Sequence, residues 1–228
     1  MFFKDRTDAG KYLAAQLESY KDRNDVLVLA LPRGGVPVAF EVAQALRAPL
    51  DIFLVRKLGV PGHKELAMGA IATGGIRVLN NEVVDYLQIP NEVIEAVADQ
   101  EMQELMRREQ VYRGDRSEPD VKNKTVVLVD DGLATGSTMR AAAAALRQQN
   151  PAKIVVAVPV SAPHTCNEYR MGVDEIICAA TPEPFYGVGQ WYLDFSQTTD
   201  DEVRELLDSA RTESEDKRQQ KSIAHGTT

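Results

Sequence analysis

The sequence is poor in the residues that staple small folds or anchor them in membranes. It has two cysteines, one tryptophan and three histidines in 228 residues, and aromatics make up 6%. Cys166 and Cys178 show neither the paired spacing of a zinc site nor the count of a disulfide framework, so a reduced cytoplasm is the expected setting. No apolar run approaches the roughly 18 residues of a membrane helix, and Met1 to Arg6 is charged where a signal peptide would be apolar, so no membrane partner is expected. A basic excess is also lacking: the formal net charge is −8, which argues against nucleic acid as a partner. Neither G-x-x-x-x-G-K-[ST] nor G-x-G-x-x-G occurs, which removes the two commonest nucleotide-loop readings.

What is present describes an ordinary soluble protein, 44% hydrophobic and 26% charged. The acidity is segregated. Residues 32–66 and 121–150 each carry a net +2, whereas 81–120 carry −7 and 181–228 carry −5. Two glycine-rich regions thus stay basic inside an acidic protein, which suits a small polyanionic ligand.

The chain is organised around residues 125–138. Thr125 to Val129 is apolar and β-branched, as in a strand buried on both faces. Asp130 and Asp131 close it. Gly132, Leu133, Ala134, Thr135, Gly136, Ser137 and Thr138 form a short loop rich in small and hydroxyl residues, and a strong helix-forming run follows. The helix N-terminus offers unpaired N–H groups to a phosphate, and Gly136 lets the backbone approach it. Two carboxylates would repel a bare phosphate. They make sense if the ligand also presents a diol, or a Mg²⁺ ion needing hard oxygen ligands. A 5-phosphosugar with free 2- and 3-hydroxyls satisfies the whole stretch.

A second unit of the same kind stands earlier. Val26 to Leu31 reads as a buried strand, Pro32 to Pro37 as a glycine loop and the residues to about Leu46 as a helix. Gly34 and Gly35 permit close anion approach, and Arg33 supplies planar donors for phosphate. Asp51 to Val55 is the next expected strand. Arg56 to Glu65 then reads as a glycine- and proline-rich loop, before strands at 68–72 and 76–79.

The segment Val126 to Thr138 resembles the phosphoribosyl-pyrophosphate (PRPP) binding motif of the type I phosphoribosyltransferases. The resemblance implies that Asp130 and Asp131 hold the ribose hydroxyls, and a Mg²⁺ directly or through water. It implies that residues 132–138 cradle the 5-phosphate and that Arg33, Gly34 and Gly35 form the pyrophosphate loop, which in this family often contains a non-proline cis peptide. Arg56 and Lys57 resemble the Arg-Lys pair that opens the flexible catalytic loop of orotate phosphoribosyltransferases, so Arg56, Lys57 and Lys64 are the implied catalytic cations. One departure stands out. Hypoxanthine–guanine enzymes of the family carry a further Asp in the phosphate loop where this chain has Ala134.

The expected fold is α/β, a mainly parallel sheet with helices on both faces. One domain is expected over 1–211, with a helical insertion at 81–116, an aromatic hood or wrap at 181–194 and a disordered tail at 212–228. The implied activity is Mg²⁺-dependent transfer of phosphoribosyl from PRPP to a nucleobase or other nitrogen nucleophile, in a homodimer. A PRPP-sensing regulator without turnover is the alternative. A phosphatase using Asp130 would want D-x-D, and Gly132 stands in the second acidic place.

Overall fold

A computed structural model describes the backbone of residues 2–168 and 172–225, and their side chains except at 64, 65 and beyond 213. Five strands, β1 (Val26–Ala30), β2 (Leu50–Ile52), β6 (Thr125–Val129), β7 (Lys153–Val160) and β8 (Glu175–Ala180), form a parallel sheet in the order β2-β1-β6-β7-β8. Every residue of β1 and β6 is buried, because both faces are covered. Alternate residues serve opposite faces. Val28, Val127 and Val155 pack toward helices α1 (Arg6–Gln16), α2 (Gly35–Leu46), α4 (Asn91–Arg113) and α7 (Asp200–His225). Leu29, Leu128 and Val156 pack toward α5 (Ser137–Gln148). The fold class is the one the strand–helix alternation implies.

A second, three-stranded antiparallel sheet corrects the expected flexible loop. β3 (Val55–Val60), β4 (His63–Ala72) and β5 (Ile76–Leu79) pair in that order, with only Pro61 and Gly62 between β3 and β4. The expected strand at 51–55 is therefore split between β2 and β3. Gly59 lies at a register shift and Gly62 takes φ +81°, so these glycines shape a bulged hairpin. Leu58 and Val60 are buried and fasten that hairpin to the core.

The insertion at 81–116 contains α3 (Asn81–Tyr86) and α4, and α4 packs on β3 and α7. At the N-terminus Asp5 caps α1, accepting from Asp8 N at 2.8 Å. The tail expected to be disordered from 212 continues α7 to His225; residues 226–228 lie outside the described residues. Its Glu, Lys, Arg and Gln are strong helix formers, and low hydrophobicity alone does not exclude a helix. Cys166 on α6 (Pro163–Glu168) is disulfide-bonded to Cys178 on β8, so the cysteine argument for a reducing compartment falls away. Among the described residues, no helix is long and apolar enough to cross a membrane.

Candidate active site

Both glycine loops follow the carboxyl ends of adjacent parallel strands, β1 and β6, so the topology brings them together. The contact is direct. A β-carbon on Gly34 would lie 2.0 Å from Asp131 Oδ2, and one on Gly35 would lie 2.8 Å from the Val129 carbonyl and 3.0 Å from Asp130 Cα. Glycine is required there because backbone and carboxylate already fill the space. The Pro32–Arg33 peptide is cis. Arg33 Nη1 stands 3.6 Å from Asp200 Oδ1, which also accepts the Tyr112 hydroxyl at 2.6 Å.

The acidic pair is held in one arrangement. Asp131 N donates to Asp130 Oδ1 at 2.8 Å, and Tyr192 Oη donates to the Asp131 carbonyl at 2.6 Å. Arg6 Nε donates to Asp131 Oδ2 at 2.8 Å, with the two side chains only 12% and 15% exposed. Burial pushes the Asp130 carboxyl well above the ordinary carboxylate range, and the Asp131 charge beside it adds to the rise. Burial also raises Asp131, against the opposing pull of Arg6. Tyr192 is raised by burial first and by the Asp131 charge second.

The loop from 132 to 138 is braced from below and open above. Gly132 and Leu133 are buried, whereas Ala134, Thr135, Ser137 and Thr138 are exposed. Leu133 N donates to the Val160 carbonyl at 2.9 Å, and Thr165 Oγ1 to the Ala134 carbonyl at 2.7 Å. Gly136 takes φ +70° and ψ +8°, the left-handed region, directly before α5. Among the described residues no side chain caps the start of α5, an arrangement that suits an anionic ligand at that end.

The three implied catalytic cations are not gathered in one mobile loop. Arg56 lies in β3 and pairs with Glu101 of α4, Nη2 to Oε2 at 2.6 Å. Lys57, pointing the other way from the strand, lines a cavity of about 320 Å³ together with Ser137, Thr138 and Arg140 at the start of α5. Lys64 lies in β4, and its side chain is outside the described residues.

Arg6 and Tyr192 were not legible as site residues. Arg6 pairs across 125 positions of sequence. Its one local signal is a cation at the first position of a helix, where the dipole disfavours it. Tyr192 belongs to the aromatic segment at 181–194. There Phe3 bridges to Tyr192, Phe185 stacks on Trp191 at 6.4 Å, and Val188 fills the space over Gly132 at 2.6 Å from a β-carbon built there. The segment therefore packs against Phe3, Ala9 and Val160 at the carboxyl end of β7 and reaches Gly132 of the loop. Beside it, Ala162, Pro163, His164, Glu183, Pro184 and Phe185 line a cavity of about 480 Å³.

The phosphoribosyl transferase domain family profile matches residues 4–195. Two Mycobacterium tuberculosis proteins provisionally named phosphoribosyl transferases, MT0597 of strain CDC 1551 and Rv0571c of strain H37Rv, are each 46% identical over 208 residues, 91% of this chain. That stretch is 47% of each relative, so the chain spans about half their length. The crystal structure of TT1426 from Thermus thermophilus superposes with a TM-score of 0.82 at 40% identity, covering 91% of this chain and 98% of that one.

Proposed function

Because the chain belongs to the phosphoribosyl transferase domain family, we propose that it transfers the phosphoribosyl group of PRPP to a nitrogen nucleophile and releases pyrophosphate. The observation that carries this is the contact between the two loops. Gly34 and Gly35 press against Asp131 and Asp130, and the uncapped start of α5 lies a few residues further on. One molecule with a phosphate at one end, a diol in the middle and a pyrophosphate at the other suits these three features in that order.

In this reading the first turn of α5, Gly136 and the hydroxyls of Thr135, Ser137 and Thr138 take the 5-phosphate. Asp130 and Asp131 take the ribose hydroxyls. Arg33 and the backbone at Gly34 and Gly35 take the pyrophosphate. Holding both ends of the sugar while C1 loses its leaving group stabilises the charge that builds up during cleavage.

The residues fit a Mg²⁺ ion carried in with the substrate. Asp130 and Asp131 are the donors in the cleft, and among the described residues no group of three His, Cys, Asp or Glu side chains could cage a metal. Mg²⁺ usually takes one or two carboxylates and completes its shell with water and ligand phosphate oxygens. Bound there, the ion would neutralise charge on the departing pyrophosphate.

The acceptor enters, in this proposal, under the 181–194 hood. The cavity between His164 and Phe185 supports that placement: it adjoins Ala162, which donates to the Leu133 carbonyl at 3.1 Å. A 6-oxopurine would find Ala134 where the hypoxanthine–guanine enzymes have an Asp, so purine readout by that route is not part of the proposal. The test is a pyrophosphate-release screen with PRPP, Mg²⁺ and a panel of purines, pyrimidines and amines. An acceptor-dependent release is expected. Tight PRPP binding with no acceptor turned over would replace the enzyme with a PRPP sensor, a reading that Arg56 engaged by Glu101 favours.

A further inference from the structure

We propose that Arg6 is a positioning residue for the sugar. It holds Asp131 by one oxygen so that the other faces the ribose diol, and it ties that setting to the chain beyond the aromatic wrap. The inference rests on the phosphoribosyl reading, but Arg6 lies outside both glycine loops.

The cost of the acidic pair comes first. Two adjacent carboxylates at the end of a buried strand repel one another, and an unrestrained Asp131 side chain would swing toward solvent. Arg6 prevents this with three restraints on one guanidinium. Nε donates to Asp131 Oδ2 at 2.8 Å, Nη1 donates to the Ser196 carbonyl at 2.7 Å, and the plane lies over the Phe195 ring at 4.0 Å. Only a planar fork makes the first two bonds together while stacking on a ring, so lysine is not an equivalent. Arg6 takes Asp131 Oδ2, which leaves the other carboxylate oxygen as the one to meet a sugar hydroxyl.

The placement also does not serve the helix that carries it. Arg6 opens α1, where a positive charge opposes the dipole, and α1 already has its cap from Asp5 and an acid at Asp8. The arginine is better explained by what it touches. A β-carbon on Gly34 would stand 2.0 Å from Asp131 Oδ2 and 3.2 Å from Arg6 Nε. Arg6, Asp131 and the pyrophosphate loop are thus one packed trio. Tyr192, holding the Asp131 carbonyl at 2.6 Å, fixes the main chain of the residue whose side chain Arg6 fixes.

Calorimetry with ribose 5-phosphate and 2-deoxyribose 5-phosphate tests this. The parent is expected to prefer the ribose form. Arg6→Ala should weaken ribose 5-phosphate about tenfold or more and change 2-deoxyribose 5-phosphate by no more than about twofold, because the free Asp131 oxygen is placed against the 2-hydroxyl, which the deoxy sugar lacks. Arg6→Lys should not rescue. Asp131→Asn alone and combined with Arg6→Ala should bind alike, since a residue acting through another shows no further loss once that other is gone. Equal losses for both sugars would make Arg6 a general attractor of anions and overturn the proposal, as would additive losses in the double variant. Arg6→Gln, which keeps a donor and the side chain's bulk, replaces Arg6→Ala if circular dichroism shows the latter unfolded, and the same outcomes are required of it. A parent that binds neither sugar removes the phosphoribosyl reading itself; a parent that binds both equally removes the diol contact while leaving that reading in place.

Discussion

Gly34 and Asp131 meet with no room between them: a β-carbon at 34 would lie 2.0 Å from the carboxylate Oδ2 and 2.8 Å from its Cγ. Gly34→Ala must therefore displace Asp131 and with it the Arg6 pair. Overpacking of this kind costs about 1–3 kcal/mol. The variant should melt earlier than the parent and lose at least about tenfold in Mg²⁺–PRPP affinity, about 1.4 kcal/mol. Thermal unfolding and calorimetry check both; retained affinity would separate the glycine loop from the acidic pair.

Asp130 should oppose folding of the ligand-free protein at neutral pH. Its folded carboxyl is raised by burial and by the Asp131 charge. The unfolded chain therefore ionises first as pH rises past the usual carboxylate value of about 3.9, and stability falls from there up to the raised folded value. Asp130→Asn keeps an oxygen for the Asp131 N–H and carries no charge. It should melt higher than the parent at pH 7, with the advantage shrinking to nothing below about pH 4. The same variant should bind PRPP poorly. Melting curves from pH 3 to 8 decide it, and an advantage that grows on acidification would contradict this sign.

Gly136 takes φ +70°, where a β-branched side chain is strained, and it lies in the loop proposed to take the 5-phosphate. Gly136→Val should lose ribose 5-phosphate binding and destabilise the fold by about 1–2 kcal/mol. Gly136→Asn, which tolerates the left-handed region, should keep most of the stability. Equal binding by Gly136→Val and the parent would place the phosphate elsewhere.

Legibility followed the range of the interaction. β1, β6 and their loops could be read because a continuous apolar run, a strand-end acid or glycine and a helix-forming run lie next to one another in sequence. The hairpin was misread because Gly59, Pro61 and Gly62 suggest a loop, while the alternation Arg56, Leu58, Val60 against Lys57, Gly59 is a strand signal too short to outweigh them. Arg6 and Tyr192 reach Asp131 across 125 and 61 positions, and no local pattern encodes such contacts. On α4 the apolar Met106 is 59% exposed, while Ile94, Ala98 and the charged Arg113 are buried. Arg113 can be buried because Asp51 accepts from it at 3.1 Å, again a partner far along the chain.

The adjacent cations Arg56 and Lys57 should part company on mutation, because a strand sends neighbours to opposite faces. Arg56 is held by Glu101 at 2.6 Å, with side-chain exposures of 29% and 20%, so its job is to fasten α4 to the hairpin. Lys57 shares a cavity with Ser137 and Thr138, at the end of the site proposed for the 5-phosphate. Arg56→Ala leaves Glu101 without its partner and should cost about 1–3 kcal/mol of stability, with the Michaelis constant for PRPP within about twofold of the parent. Lys57→Ala should change the melting temperature little. Its loss should instead fall on turnover or on PRPP binding, and the two are separable: a drop in kcat with KM unchanged marks a contact made in the transition state, whereas a raised KM alone marks one made equally in the bound substrate. The proximity of Lys57 to Ser137 and Thr138 predicts the second pattern, a weaker grip on the 5-phosphate, matched by a fall in ribose 5-phosphate affinity. Steady-state kinetics beside thermal melts of both variants test the division. If Arg56→Ala lost turnover and kept its stability, while Lys57→Ala unfolded, the assignment of the two faces of β3 would have to be reversed.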